Sequence, residues 1–336
     1  MDWNELKALA EQHGLSAVVL DGIGLLKVES EELRVNLPEK ILLAQWIGEV
    51  SQFYEQRYEQ YLHAIASLAA FYNCHGYKMM ILKGYTCSLD WPKPEHRPCG
   101  DIDIWQFAQQ KEADAALTME KGLEIDSSHH HHTIFYWHDF MVENHYDFIN
   151  VHHHKSNAEV EKVLKELAQD DSHIVEVYGE KVYLPSANLH ALFLLKHTII
   201  HFAAEGISLR LLLDWGFFME NHHREIDWPW FLEKLEQFGM TTMFNIFNAI
   251  CVEDLGFDTA VFHQVQFNPF MKDKVLKEIL EPEFGEELPK KLIPRMVFKY
   301  RRWKGSAWKH ELCYKESMWS AFWSGIWNHI LKPSSI

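Results

Sequence analysis

Positive charge is scarce in this sequence. Lysine and arginine together number 32, against 48 aspartates and glutamates, so the 336-residue chain has a formal net charge of −16. Sequence-independent affinity for DNA or RNA depends on clustered Lys and Arg that neutralise the phosphate backbone. The charge balance therefore argues against a nucleic-acid polymer as the main partner. Small phosphorylated ligands stay open, because a few local cations and a metal ion can bind them.

Paired cysteines and long apolar runs are also missing. The five cysteines show no C-x-x-C spacing, so neither a disulfide framework nor a cysteine zinc site is predicted. No run of about 18 apolar residues occurs, and the first residues, "MDWNELKALAEQHGL", lack the apolar core of a signal peptide. We therefore expect no membrane span, no export and a cytoplasmic location.

Hydrophobic residues are plentiful, at 47% of the chain, and their spacing changes along it. Apolar positions follow a helical period in the first and last parts of the chain, whereas short apolar or alternating runs lie between them. The pattern predicts an α+β fold. We expect an N-terminal helical region (1–75), an α+β core with a small mixed sheet (76–185) and a C-terminal helical domain (186–336).

Several strands are predicted in the core. A buried strand in "CHGYKMMILKG" ends at Gly84, a proline-rich loop follows, and "DIDIWQF" forms the next strand. A helix stopped by Gly122 leads to three further β-segments, "HHHHTIFYW", "HDFMVE" and "YDFINVHHH", with a turn at 143–145. A hairpin that turns at Gly179 follows them.

Two aspartates one residue apart, Asp101 and Asp103, form the most informative motif. Side chains at i and i+2 share one face of a strand, so both carboxylates point one way while Ile102 and Ile104 point into the core. Close like charges are costly unless a cation lies between them. Mg²⁺ prefers carboxylate oxygens together with substrate phosphates. The alternative interpretation is a half-exposed strand with a solvated acidic face.

Residues that precede the aspartate pair favour the metal interpretation. Gly84 ends the preceding strand and lets a backbone approach a phosphate closely, and Lys83 and Arg97 supply cations nearby. Each of them also has an ordinary explanation, as a turn glycine or as a solvated surface cation.

The order of these motifs resembles a known family. A strand ending in "LKG", a proline-containing loop, an arginine and then "GDIDIW" are similar to the uncharacterised nucleotidyltransferase family of the polymerase-beta-like nucleotidyltransferase superfamily. The similarity continues through "INVHHHKS", "LPSANLHALFLLKHTIIHF" and "LRLLLDW", and spans about residues 40 to 335.

This resemblance implies a metal-dependent nucleotidyltransferase that moves a nucleotidyl group from an NTP to a hydroxyl of a small molecule or a protein. Asp101 and Asp103, on the second strand of a small mixed sheet, would hold the metal, Mg²⁺ or Mn²⁺. Lys83–Gly84 and Gly100 would line the nucleotide, and Arg97 would neutralise charge on the leaving pyrophosphate.

One position departs from the family pattern. The third carboxylate, expected on the neighbouring strand two residues before a histidine, falls on Asn150, with His152 in the histidine place. An amide can ligate a metal but carries no charge and cannot act as a base. Asp147, the nearest carboxylate, lies on the opposite face of a regular strand. The alternative function is therefore a degenerate member that binds a nucleotide or a partner without catalysis.

Histidines are unusually numerous, at 22. Runs at 129–132 and 152–154 lie on predicted strands, where alternation gives at most two ligands per face, and a histidine-based metal protein is a third hypothesis. His197 and His201 lie four apart on one helix. By family resemblance they face the active cleft with Arg210 and Asp214, which would form an ion pair. An interhelical structural network explains the same residues.

Overall fold

The computed structural model describes residues 2–29, 37–151, 154–262, 267–283, 289 and 291–319. Within these ranges, helices surround one six-stranded sheet. Each helix in them is too short or too polar to cross a lipid bilayer.

The sheet is mixed, and its second strand lies near the middle. The strands are β1 (Met80–Ile81), β2 (Asp101–Trp105), β3 (His132–Trp137), β4 (Phe140–His145), β5 (Ile174–Val177) and β6 (Glu180–Tyr183). Their order across the sheet is β3-β4-β2-β1-β6-β5. β2 runs antiparallel to β1 and parallel to β4, while β3 with β4 and β5 with β6 form antiparallel pairs.

Helices precede, interrupt and follow the sheet. Before it come α1 (Trp3–Gln12), α2 (Ser16–Glu29), α3 (Lys40–Val50) and α4 (Gln56–Cys74), the last two joined by a π-helical turn. Between strands lie α5 (Tyr85–Ser88), α6 (Gln110–Lys121) and α7 (Lys155–Leu167). After β6 come α8 (Ala187–Ala204), α9 (Leu209–His222), α10 (Trp228–Phe238), α11 (Thr241–Glu253), α12 (Pro269–Leu280), α13 (Leu292–Gly305) and α14 (Ala307–Cys313).

Two apolar clusters cover the two faces of the sheet. The first contains Ile102 of β2 and Leu68 of α4. The second contains Trp105 of β2, Phe193 of α8 and also Trp46 of α3. Because successive residues of a strand point to opposite faces, the odd-numbered side chains of β2 face the C-terminal helices.

The structure confirms the α+β class with a small mixed sheet. Helix α6 ends at Gly122 (φ +67°), and the turn between β5 and β6 contains Gly179 (φ +81°), as the sequence predicts. Two other predictions are wrong. Residues 143–145 form the end of β4 instead of a turn, and no strand occurs in residues 146–151, which the structure describes. Asn144, a typical turn residue, is tolerated in β4 because its buried side-chain amide donates to Gln106 and to Asp114.

Candidate active site

Asp101 and Asp103 open the central strand, on the face directed at the C-terminal helices. Ile102 and Ile104, between and beyond them, are fully buried in the opposite cluster and fix the strand's orientation. Asp103 is only 1% exposed, whereas Asp101 is half-buried. The sequence therefore predicts correctly that the two carboxylates share one face.

Strand β4 brings a third carboxylate to the same place. In the parallel pairing of β2 with β4, Asp103 stands opposite Glu143, and the next odd position of β4 is His145. His145 Nε2 donates to Asp103 Oδ1 (3.1 Å) and lies 3.6 Å from Glu143 Oε2. One ligand atom from each of these three side chains lies within 4.8 Å of the others.

Lys83 completes the charge pattern. Its Nζ lies 2.8 Å from Asp103 Oδ1 and donates to His197 Nε2 (3.4 Å). Burial lowers the pKa of Lys83, but the charges of Asp103 and Asp101 outweigh this effect and raise it. The charge of Asp103, followed by burial, raises the pKa of Asp101. Two cations, Lys83 and His145, thus balance Asp103.

The histidine in this cluster is held as a cation. Burial lowers the pKa of His145, but hydrogen bonds to Asp103 and Glu143 outweigh this effect and raise that pKa to about 9. Burial alone would raise the pKa of Asp103, but Lys83 beside it and the hydrogen bond from His145 hold that pKa below its usual range. Asp103 Oδ2 is nevertheless buried without a hydrogen-bond partner in the described part of the chain. A buried carboxylate oxygen without a partner costs free energy unless a water molecule or a cation satisfies it.

Gly84 follows β1 in a conformation that favours glycine, with φ +62° and ψ −98°. A Cβ atom there would lie 2.3 Å from the Tyr61 hydroxyl oxygen. That hydroxyl donates to the backbone oxygen of Asp101 (2.9 Å). The close packing therefore fixes the start of β2. Gly100, immediately before β2, is exposed, and a Cβ there would meet open space.

Arg97 pairs with Asp214 instead of standing free at the site. The guanidinium donates twice to the carboxylate, from Nε (2.7 Å) and Nη2 (2.9 Å), and Trp91 Nε1 donates to it as well. Both charged side chains are buried. The predicted contact of Arg97 with a leaving pyrophosphate stays a prediction. The predicted ion pair of Arg210 with Asp214 is wrong, because Asp214 is taken by Arg97 and Arg210 donates to Pro98 O (3.4 Å).

The two helical histidines lie at different depths. The His197 ring is 4.2 Å from the His201 ring, centroid to centroid, on α8. His197 reaches the carboxylate cluster through Lys83. Burial, and then the charge of Lys83, holds the pKa of His197 well below its ordinary value. His201 bonds Glu205 (2.7 Å) at the more exposed end.

The prediction that Asn150 lies on a strand beside the aspartates is wrong. Asn150 lies in a loop beyond β4, where its backbone oxygen accepts from Asn157 Nδ2 (2.7 Å). His152 lies outside the described residues. The acid-x-His spacing assigned to residues 150 and 152 also occurs at Glu143 and His145, at the end of a strand next to β2. That spacing is the signal that sequence reasoning missed.

Two of three comparisons with known proteins returned a match. A search of curated proteins found no match. Among solved structures, an antigenic nucleotidyltransferase-like protein from Paracoccidioides brasiliensis aligns at 14% identity and a TM-score of 0.36, covering 60% of this chain and 96% of that chain. The family described as uncharacterised nucleotidyltransferase matches residues 1–256, so the match starts before the motif resemblance and ends earlier. Since that match covers most of the sequence, the chain belongs to the uncharacterised nucleotidyltransferase family.

Proposed function

We propose that this protein transfers a nucleotidyl group from an NTP to a hydroxyl of a small molecule or a protein, with a divalent cation held by Asp101, Asp103 and Glu143. Family membership supports nucleotidyl transfer as the general activity. The observation that carries the metal part of the proposal is the buried Asp103 carboxylate, whose Oδ2 has no hydrogen-bond partner among the residues described.

The donor set fits a hard cation. Three carboxylates meet on one sheet face, and Mg²⁺ or Mn²⁺ takes carboxylate oxygens together with substrate phosphates and water. Asp101 is half-buried, so the face has an opening toward solvent from which a nucleotide can approach. When bound, the cation would neutralise the triphosphate and polarise the phosphorus that is attacked.

The side chains around the carboxylates have separate tasks. In the transfer, the acceptor hydroxyl oxygen bonds to the α-phosphorus, the bond from that phosphorus to the bridging oxygen breaks, and pyrophosphate leaves. Glu143 would accept the proton of the hydroxyl. Lys83, at the end of β1, would bind phosphate oxygens. Arg97 is a positioning residue, because its ion pair with Asp214 holds the loop that enters β2.

Nucleotide or partner binding without transfer is the alternative function that the sequence left open. Its motivation was an amide at the third carboxylate position. Glu143 lies opposite Asp103, and the proposal assigns the role of the third carboxylate to it. Binding without turnover therefore becomes an outcome of the experiment.

The test is a calorimetric titration of the purified protein with each of the four NTPs, with and without Mg²⁺. We expect metal-dependent binding that weakens by more than about tenfold in Asp103→Asn, because the variant removes a charged ligand without changing shape. Asp139→Asn, an exposed aspartate between β3 and β4, is the matched control and should bind as the wild type does.

Turnover is then measured as pyrophosphate release from the bound NTP with protein and small-molecule acceptors. Release that requires Asp103 and Glu143 supports the enzyme. Metal-dependent binding with no release from any acceptor favours the non-catalytic alternative. If folded wild type binds no NTP in the presence of Mg²⁺, the proposal is wrong.

A further inference from the structure

A cluster of imidazoles lies beside the carboxylates, and two of its members, His131 and His132, take no part in the proposed transfer. His132, the first residue of β3, stands opposite His145 in the antiparallel pairing. The rings of His131 and His145 lie 5.7 Å apart, and those of His132 and His145 lie 5.3 Å apart, centroid to centroid. His131 precedes the strand, so strict alternation does not send its ring to the other face.

Two of the imidazoles have a ring nitrogen without a hydrogen-bond partner among the described residues. Nδ1 of His131 and Nδ1 of His132 are buried, and neither has a hydrogen-bond partner in the described ranges. A buried polar atom without a partner costs free energy unless a ligand satisfies it. These orphaned nitrogens are an observation independent of the distances within the cluster, and in the tautomer that leaves a lone pair on Nδ1 a metal ion satisfies each of them.

His145 is oriented as metal-binding histidines usually are. Its Nδ1 lies 3.1 Å from the backbone oxygen of Asp147 and donates to it, while its Nε2 donates to Asp103 Oδ1. A metal ion would take the place of the Nε2 proton, because only the deprotonated nitrogen ligates a metal. A ligating histidine commonly donates its other N–H to a backbone carbonyl in this way.

The distances suit a transition-metal ion. One ligand atom from each of His131, His132 and His145 lies within 4.8 Å of the others. Two nitrogens bound to one tetrahedral zinc lie about 3.3 Å apart, so side-chain rotation has to close gaps of at most about 1.5 Å. Imidazole nitrogens select Zn²⁺ and similar borderline ions, whereas Mg²⁺ prefers oxygen.

We propose that His131, His132 and His145 form a second metal site, distinct in chemistry from the carboxylate site, which binds one Zn²⁺ or a similar transition-metal ion. Glu143 borders both sites, since its Oε2 lies 3.6 Å from His132 Nδ1 and from His145 Nε2. The proposal does not depend on nucleotidyl transfer. Zinc binding is read out without activity.

The experiment uses full-length, untagged protein purified without metal-affinity resin. After chelator treatment and dialysis, Zn²⁺ is titrated against a chromophoric chelator, and Co²⁺ is added separately to record its absorption spectrum. We expect one tightly bound Zn²⁺ per chain and a Co²⁺ spectrum of low coordination number. The double variant H131Q/H132Q should weaken Zn²⁺ binding by more than about tenfold.

The matched control is H63Q/H173Q, which removes two exposed histidines elsewhere and should bind Zn²⁺ normally. Circular dichroism checks that each variant is folded. The site is wrong if folded wild type takes up no stoichiometric Zn²⁺, or if H131Q/H132Q binds it as tightly as the wild type. Loss of NTP binding in Asp103→Asn with Zn²⁺ retained would separate the two sites, and a failure of the proposed transfer leaves the zinc result intact.

Discussion

Lys83 and His145 are the residues that make a buried Asp103 tolerable before any metal arrives. An unpaired buried carboxylate costs several kcal/mol, so it needs cations or strong hydrogen bonds. Both partners contact Oδ1, at 2.8 and 3.1 Å. Oδ2 has none among the described residues. The carboxylate is therefore compensated on one side and open on the other.

Lys83→Met tests whether Asp103 is compensated by cations at Oδ1 and open to a metal ion at Oδ2. The variant leaves Asp103 with His145 as its remaining cation, so we expect a loss near the lower end of the about 3–5 kcal/mol that breaking a buried ion pair costs. In the proposed site Mg²⁺ replaces part of the lost charge, so the loss should be smaller with Mg²⁺ than with a chelator. Urea unfolding under both conditions measures it. Lys78→Met, in an exposed pair with Asp171, should show a small loss that Mg²⁺ does not change. An identical loss of Lys83→Met in both conditions would contradict the metal site.

Gly84→Ala tests the packing before β2. A left-handed backbone costs an L-residue about 1–2 kcal/mol, and overlap with the Tyr61 hydroxyl adds to that, so we expect a total of about 3 kcal/mol. Gly122→Ala is the comparison, since that glycine has a similar φ (+67°), a left-handed helical ψ (22°) instead of −98°, and open space around it, and should cost about 1 kcal/mol. Urea unfolding compares the two. Equal losses would mean that the contact with Tyr61 is unimportant.

At the scale of elements, the Arg97–Asp214 pair ties the loop before β2 to helix α9. Because both side chains are buried, Asp214→Asn leaves a guanidinium charge without its counter-ion, and we expect a loss of about 3–5 kcal/mol in the free energy of unfolding. The double variant R97M/D214L removes both charges and should recover most of that loss. A double-mutant cycle of R97M, D214L and R97M/D214L, followed by urea unfolding, measures the coupling. If the losses in the free energy of unfolding of the two single variants simply add, the Arg97–Asp214 ion pair does not stabilise the fold.

The two strands of the site differ in how well sequence predicts them. β2 is readable because Ile102 and Ile104 alternate with carboxylates. β4 is not, because Asn144, a typical turn residue, is buried between Glu143 and His145 and depends on a polar network with α6. The pattern therefore predicts a turn where the structure has the end of β4. Tertiary hydrogen bonds donated by a buried amide nitrogen leave no local pattern in the sequence.

Beyond β4, an apolar stretch has the sequence pattern of a strand but forms a loop. Phe148 and Ile149 are buried, yet they lie in a loop whose N–H groups both donate to the Glu161 carboxylate of α7 (3.0 Å each). The sequence shows the burial of these side chains. It does not show that a side-chain carboxylate, instead of a neighbouring strand, accepts their backbone hydrogen bonds.

At the scale of the whole molecule, helices from both ends of the chain share one apolar cluster. Ala10 and Trp46 of the N-terminal helices are buried with Phe193 and Phe231 of the C-terminal ones. The backbone N–H of Leu209, at the start of α9, donates to His13 Nδ1 (3.3 Å). The division into three domains stays a prediction. The aspartate face of the sheet is covered jointly by sequence-distant helices, so its geometry depends on the whole chain.

The stability of the molecule should fall as the pH rises from about 6.5 to 9, in part through His222 at the end of α9. Its hydrogen bond to Asp90 (2.8 Å) raises the pKa of His222 to about 9 in the folded protein. The folded state then holds a proton that the unfolded chain has lost, so this stabilisation is complete below pH 6.5 and vanishes as the pH passes 9. Because the side chain is 34% exposed, solvent screening limits the effect to about 1–2 kcal/mol.

Urea unfolding at pH 6 and pH 9 should show that His222→Gln is destabilised at the lower pH and close to wild type at the higher one. Asp90→Asn should remove the same pH-dependent difference. A destabilisation of His222→Gln that is equal at both values would assign the residue to packing alone.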